Sequence, residues 1–214
     1  MRRITLVFAA LLLTLVGCTD SARHARAVYV LLDVSESYNT KLDAANAALN
    51  YLLGTLVSGD SLTVASIDSA SFTEKDIVTK VKFDDRPSVA NEQKRALRAR
   101  LDGFFKERKP STRTDVSGAM LQAAQDLNES GAGHRYILLF SDLEQDLPKG
   151  YKRDFHLPLD GAEVIAVDVT KLHSDNVNPQ NYLDRLDHWK AVVDDNGGHW
   201  EVVNDMDRLD TVFK

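Results

Sequence analysis

The spacing of apolar residues changes several times along the chain, and each change predicts a new element. Residues 27–32 form a short unbroken run of aliphatic and β-branched side chains, the pattern of a strand covered on both faces of a parallel sheet. Over residues 39–57 the period becomes helical. Leu42, Ala45, Leu49, Leu52, Leu53 and Leu56 share one face, polar residues lie between them, and Ser58-Gly59 supplies the stop. Residues 61–69 return to an apolar run and residues 76–84 alternate apolar with polar, which predicts a strand paired in a hairpin with a one-sided edge strand. Pro87 and Ser88 open a helix reaching about Lys106, and residues 115–128 predict another that ends near Gly131. Two more buried strands follow at 135–142 and 162–169, then a helix at 179–195, a last strand at 199–203 and a closing helical turn or two at 207–213. Strands alternating with helices predict an α/β fold of three layers, a mostly parallel central sheet with one antiparallel edge strand and helices on both faces. No repeat, low-complexity tract or linker divides residues 26–214, so they read as one domain.

In an open sheet of this kind, ligands bind beyond the carboxyl ends of the strands. Three such boundaries carry hard oxygen donors here: Asp33, Ser35 and Ser37 in "DVSES" after the first strand, Thr114 at the start of a helix, and Asp142 after "RYILLFS". Taken alone, "DVSES" fits a helix cap, because Ser and Asp satisfy free amides just before a helix. Thr114 and Asp142 at matching boundaries change the picture toward a cation site. Magnesium takes an octahedral shell of hard oxygens and retains waters, so two carboxylates and three hydroxyls leave a coordination position open.

These residues resemble the metal-ion-dependent adhesion site of von Willebrand factor A (VWA) domains, whose pattern is Asp-x-Ser-x-Ser after the first strand, a threonine on a later loop and an aspartate after a central strand. The resemblance spans residues 26–214 and implies a Rossmann-like VWA fold. It also implies that Asp33, Ser35, Ser37, Thr114 and Asp142 hold Mg2+, with Mn2+ or Ca2+ as substitutes, and that a partner's carboxylate completes the shell. Flanking residues Glu36, Tyr38, Leu143 and Glu144 are then expected to form the rim that meets the partner. There are two departures. No glycine precedes Thr114, and Thr112 lies two residues upstream as a second candidate. Leu143 also stands where many members have glycine, which is expected to alter the loop or narrow access to the ion. The specificity loops are expected at residues 70–75, 143–160 and 170–180.

Charge and the amino-terminal segment place this domain. Arg2 and Arg3 precede an apolar run over residues 4–16, the pattern of a secretory signal too short to span a bilayer comfortably. The run closes in "LVGC", which resembles the lipobox of bacterial lipoproteins, and Cys18 is the only cysteine in the chain. The resemblance implies cleavage after residue 17, a lipid on Cys18 and a short tether over residues 18–25. With Thr19 rather than Asp next, it favours the periplasmic face of the outer membrane. Cleavage removes two arginines and no acids, so the formal net charge of −6 becomes more negative still, which argues against nucleic acid as partner. Lys94, Arg95, Arg98 and Arg100 form a basic helix face, read as a solvated surface or, more sharply, as a contact for anionic headgroups.

No enzyme is expected. A haloacid-type phosphatase needs an acid where Ser35 stands, and the chain holds no Gly-x-Ser-x-Gly elbow, phosphate-binding loop or dinucleotide fingerprint. The six histidines show no metalloprotease spacing. The expected function is a membrane-anchored, cation-dependent protein-binding module that is monomeric on its own. The alternatives are a degenerate VWA domain with a structural role in an envelope assembly, and a metal-dependent envelope hydrolase.

Overall fold

A computed structural model describes residues 23–38, 41–69, 71–205 and 208–213. Cys18 and the predicted leader lie outside the described residues. The elements are β1 (Arg26–Asp33), α1 (Asp43–Thr55), β2 (Ser61–Ile67), β3 (Ile77–Lys82), α2 (Pro87–Glu107), α3 (Val116–Ser130), β4 (His134–Phe140), β5 (Glu163–Val167), α4 (His173–Val177), α5 (Gln180–Asp195), β6 (His199–Val203) and α6 (Leu209–Val212). Among the described residues, six strands form one sheet in the order β3-β2-β1-β4-β5-β6. Only β3 runs antiparallel, as the hairpin pattern predicts. The three-layer, Rossmann-like arrangement expected of a VWA fold is therefore present.

Strand alternation builds two cores from one sheet. Val28, Val30 and Leu32 of β1 pack on one face with Leu49 and Leu52 of α1, Leu97 and Leu101 of α2, and Leu209 of α6. Ala27, Tyr29 and Leu31 turn the other way and pack with Val116, Met120 and Ala123 of α3 and Trp189 and Val193 of α5. That is why β1 shows no polar alternation: seven of its eight residues are buried because both faces are covered.

The β1 strand occupies the centre. It pairs with β2 on one side and β4 on the other, and the chain's winding reverses between β1 and β4. Open α/β sheets bind ligands at such a reversal, beyond the carboxyl ends of the strands. The chain enters at the opposite pole, where Asp60 pins the start of β1. Its carboxylate accepts from the Arg26 amide at 2.8 Å, from Arg26 Nε at 3.1 Å and Nη2 at 2.7 Å, and from the Val57 amide at 2.8 Å.

The α4 turn stands where the sequence predicts a loop over residues 170–180. On α2, part of the basic face is drawn onto the protein itself. Lys94 donates to the Leu56 carbonyl and Arg98 reaches Asp102 and Asn50, which favours the solvated-surface reading. Among the described residues, no helix is long and apolar enough to cross a membrane.

The Asp60 carboxylate is nearly inaccessible, and removing one partner of a buried ion pair strands the other. Asp60→Ala is expected to lower stability by about 3 kcal/mol in urea unfolding, the usual scale for breaking a buried pair.

Candidate metal centre

The loop after β1 places its hydroxyls at the sheet rim and spends none of them on a helix. The residue before α1 is Leu42, which makes no side-chain cap bond, so the cap reading of "DVSES" does not hold. Instead, Ser35 Oγ lies 3.1 Å from Ser37 Oγ, and Ser37 Oγ donates to Asp142 Oδ2 at 2.7 Å. Magnesium–oxygen bonds near 2.1 Å at right angles put adjacent ligands about 3 Å apart, so this row of oxygens fits one octahedral ion. Ser35, Ser37, Thr114 and Asp142 all line one cleft of about 310 Å³, with Glu36, Thr112, Arg113, Glu144 and Asp146 around it.

Two short bridges hold the loops together. Ser35 pairs with Ser111, whose amide donates to the Val34 carbonyl at 2.8 Å, and Thr114 pairs with Asp146. Thr114 is buried at 5% exposure and sits immediately before Asp115, which caps α3 by accepting from the Gly118 amide at 2.9 Å. Thr112 lines the same cleft but is exposed.

Asp33 is fully buried, behind the cleft rather than on its wall. Its Oδ1 accepts from the Ser35 amide at 2.8 Å, and its Oδ2 accepts from Ser141 Oγ at 2.5 Å across the β1–β4 reversal. Burial pushes the Asp33 carboxyl above its ordinary range, against the pull of the Ser141 and Ser35 hydrogen bonds. The contrast with the other buried acids is informative. Asp60, Asp115 and Asp175 each pair with an arginine, namely Arg26, Arg153 and Arg185, and Asp76 accepts from the Thr73 hydroxyl at 2.8 Å. Among the described residues, the side-chain carboxylates of Asp33 and Asp142 have no Lys or Arg partner. Two buried carboxylates lacking a basic partner beside three hydroxyls make a donor set that fits a divalent cation.

The expected rim divides. Glu36 and Glu144 are exposed at the cleft, but Tyr38 and Leu143 are buried and belong to the two cores. Tyr38 turns inward, with its hydroxyl donating to the Asp168 carbonyl at 3.3 Å. Leu143 adopts φ +63°, the left-handed conformation that glycine adopts freely. Its side chain is 1% exposed and packs under α5, so it leaves the turn intact and does not narrow access to the cleft.

Several supporting residues were missed from sequence. The Asp142 and Leu143 carbonyls are held by α5, where Arg185 Nε donates to the first at 2.7 Å and Trp189 Nε1 to the second at 2.9 Å. Their i, i+4 spacing puts both on one helix face, a signal available in the sequence.

No family model and no curated protein matches the chain in sequence. Solved structures do match it in shape. A pilus adhesin, SpaC from Lactobacillus rhamnosus GG, aligns over 89% of this chain and 29% of its own, at 13% identity and a TM-score of 0.55. An aerotolerance-related membrane protein from Bacteroides fragilis aligns over 88% of this chain and 96% of its own, at 13% identity and 0.50. A von Willebrand factor type A protein from Catenulispora acidiphila aligns over 89% of this chain and 41% of its own, at 12% identity and 0.49. The first two show a shared fold, and at this identity the fold alone. The chain spans well under half the length of the pilus adhesin and of the Catenulispora protein.

A buried acid whose folded pKa is raised makes the native state bind its proton more tightly than the unfolded chain does. Its destabilising effect is present above the folded pKa and fades as pH falls through that value toward the ordinary one. In chelator at neutral pH, Asp33→Asn is therefore expected to raise the melting temperature relative to wild type. The gap narrows on acidification, as followed by circular dichroism.

Proposed function

We propose that the protein is a divalent-cation-dependent protein-binding module of the bacterial cell envelope, in which a bound Mg2+, or Mn2+ or Ca2+ in its place, grips an acidic residue of a partner. One observation carries this reading. Ser35, Ser37, Thr114 and the buried Asp142 line a single cleft at the strand-order reversal, with the Ser35, Ser37 and Asp142 oxygens spaced as cation ligands and the Ser35 and Ser37 hydroxyls committed to no helix cap. Ser35, Ser37 and Thr114 supply neutral hydroxyls, so much of the ion's charge is left for an incoming carboxylate. Asp142 and, from behind, Asp33 supply the negative charge that retains the ion. The cation's role is electrostatic, and the reading is of binding rather than turnover.

The surroundings suit a polypeptide partner. Five large apolar side chains are conspicuously exposed among the described residues. Four of them, Phe72, Tyr151, Val177 and Leu183, lie on the segments that follow β2, β4 and β5, at the same pole as the cleft. Exposed apolar side chains around a polar centre are a common feature of protein-binding surfaces. Arg113 lines the cleft edge, where it pairs with Asp146 at 3.0 Å. Envelope placement rests on the lipobox-like "LVGC" and on the fold shared with a membrane protein and a pilus adhesin. In this reading Cys18 carries the lipid and the domain faces the periplasm from the outer membrane.

Isothermal titration of Mg2+ and Mn2+ is expected to give saturable one-to-one binding to the wild type. Binding should be weaker by more than about ten-fold in a Ser35→Ala, Ser37→Ala variant whose circular dichroism is unchanged. Absence of binding to the wild type would replace this reading with that of a degenerate, purely structural domain. Cys18→Ser is expected to move the protein from the membrane fraction to the soluble fraction on cell fractionation.

A further inference from the structure

The Asp142–Leu143 turn is held from behind by a polar relay that the metal ligands themselves do not explain. Arg185, on α5, uses all three of its guanidinium nitrogens. Nε donates to the Asp142 carbonyl at 2.7 Å, while Nη1 and Nη2 reach Asp175 Oδ1 and Oδ2 at 3.2 and 2.8 Å. Asp175 is itself buried, at the first turn of α4, and its Oδ2 also accepts from the Leu172 amide at 2.7 Å. Its pairing with Arg185 holds the Asp175 carboxyl below the usual range, so the pair is ionic at neutral pH. One helical turn beyond Arg185, Trp189 Nε1 donates to the Leu143 carbonyl at 2.9 Å.

We infer that Arg185 is a positioning residue for the Asp142 carboxylate, and that the Asp175–Arg185 pair transmits occupancy of the cation site to the rim segment 172–183. The inference rests on the cation-binding reading above. The geometry supplies the reason. A ligand drawing on the Asp142 carboxylate pulls on the residue whose carbonyl Arg185 grips, and a bidentate guanidinium–carboxylate pair is stiff in two directions. The same guanidinium, left without its counter-charge, would repel a divalent ion bound nearby, and Asp175 cancels that repulsion. The segment this relay reaches presents Val177 at 85% and Leu183 at 50% exposure, two of the apolar groups placed to meet a partner. Linkage then runs both ways: a partner that seats on residues 172–183 tightens cation binding as much as the cation tightens the partner's.

The test is a Mg2+ titration of the 15N-labelled full-length protein, followed through its two tryptophan indole signals. Trp189 senses the turn directly, whereas Trp200 lies on the edge strand β6, and Trp200→Phe assigns the pair. Expected in the wild type are a saturable shift of the Trp189 indole and the Leu172 amide and an unmoved Trp200. Arg185→Lys, which keeps the charge but cannot hold carbonyl and carboxylate in the same fork, should weaken Mg2+ binding by about ten-fold and erase the Leu172 response while unfolding remains cooperative. Asp175→Asn should also weaken binding, by an amount that shrinks as ionic strength rises, which a merely structural role would not produce. If Arg185→Lys fails to fold, Asp175→Asn decides. Saturation in the wild type with unchanged affinity and an unchanged Leu172 shift in the folded variants overturns this inference and leaves the cation site standing. No saturation in the wild type overturns both.

Discussion

The carboxylate of Asp33, buried without exposure at the carboxyl end of the central strand, sets the terms for the rest of the site. A buried charge is tolerated only where hydrogen bonds and an opposite charge answer it. Three other buried aspartates in this fold have an arginine, and Asp33 has an amide and a hydroxyl. The hydroxyl belongs to Ser141, so the bond that satisfies Asp33 also ties the end of β1 to the end of β4. That tie fixes the two loops that must face each other, the one carrying Ser35 and Ser37 and the one carrying Asp142. The sheet order makes this possible, since only at the reversal between β1 and β4 do two neighbouring strand ends send their connections in opposite directions.

Around this point the fold divides its labour between side chains and backbone. The Asp142 side chain faces the cleft while its carbonyl faces α5. The Leu143 side chain enters the core while its amide donates to Ser141 Oγ at 2.9 Å. A left-handed residue in the turn lets successive groups alternate in this way, and the buried leucine offsets with packing what glycine would supply through freedom. Asp60 at the entry of β1 and Asp115 at the head of α3 use their arginines to fix the ends of elements, and Asp175 at α4 uses its arginine to back the Asp142 turn. The carboxylates of Asp33 and Asp142, which have no arginine, meet at the cleft, Asp33 behind it and Asp142 on its wall.

Much of this was legible in the sequence because each element depends on its own local pattern. The continuous apolar run of β1 announced a strand covered on both faces, and the alternation in β3 announced the antiparallel edge. "DVSES", Thr114 and Asp142 could be aligned because strand ends and helix starts are where such residues must stand to reach a common rim. What could not be read were contacts that join distant segments through the interior. Tyr38 and Leu143 look like rim residues beside polar neighbours, and only the packing of α1 and α5 shows that they turn inward. Arg185 and Trp189 carry a helical spacing that marks a face, but nothing local says that the face meets two carbonyls some 40 residues earlier. The α4 turn was missed because its five residues are too few to establish a period.

The entry of the chain and the candidate centre lie at opposite ends of a single strand. The eight residues of β1 form a strut about 26 Å long, fixed at its base by the Arg26–Asp60 pair and at its tip by Asp33 and Ser141. Whatever holds the protein at its amino-terminal side therefore holds it by the heel. The cleft faces away from that end, as a hand does at the end of a forearm, so whatever seats in it meets the pole of the sheet farthest from where the described chain begins.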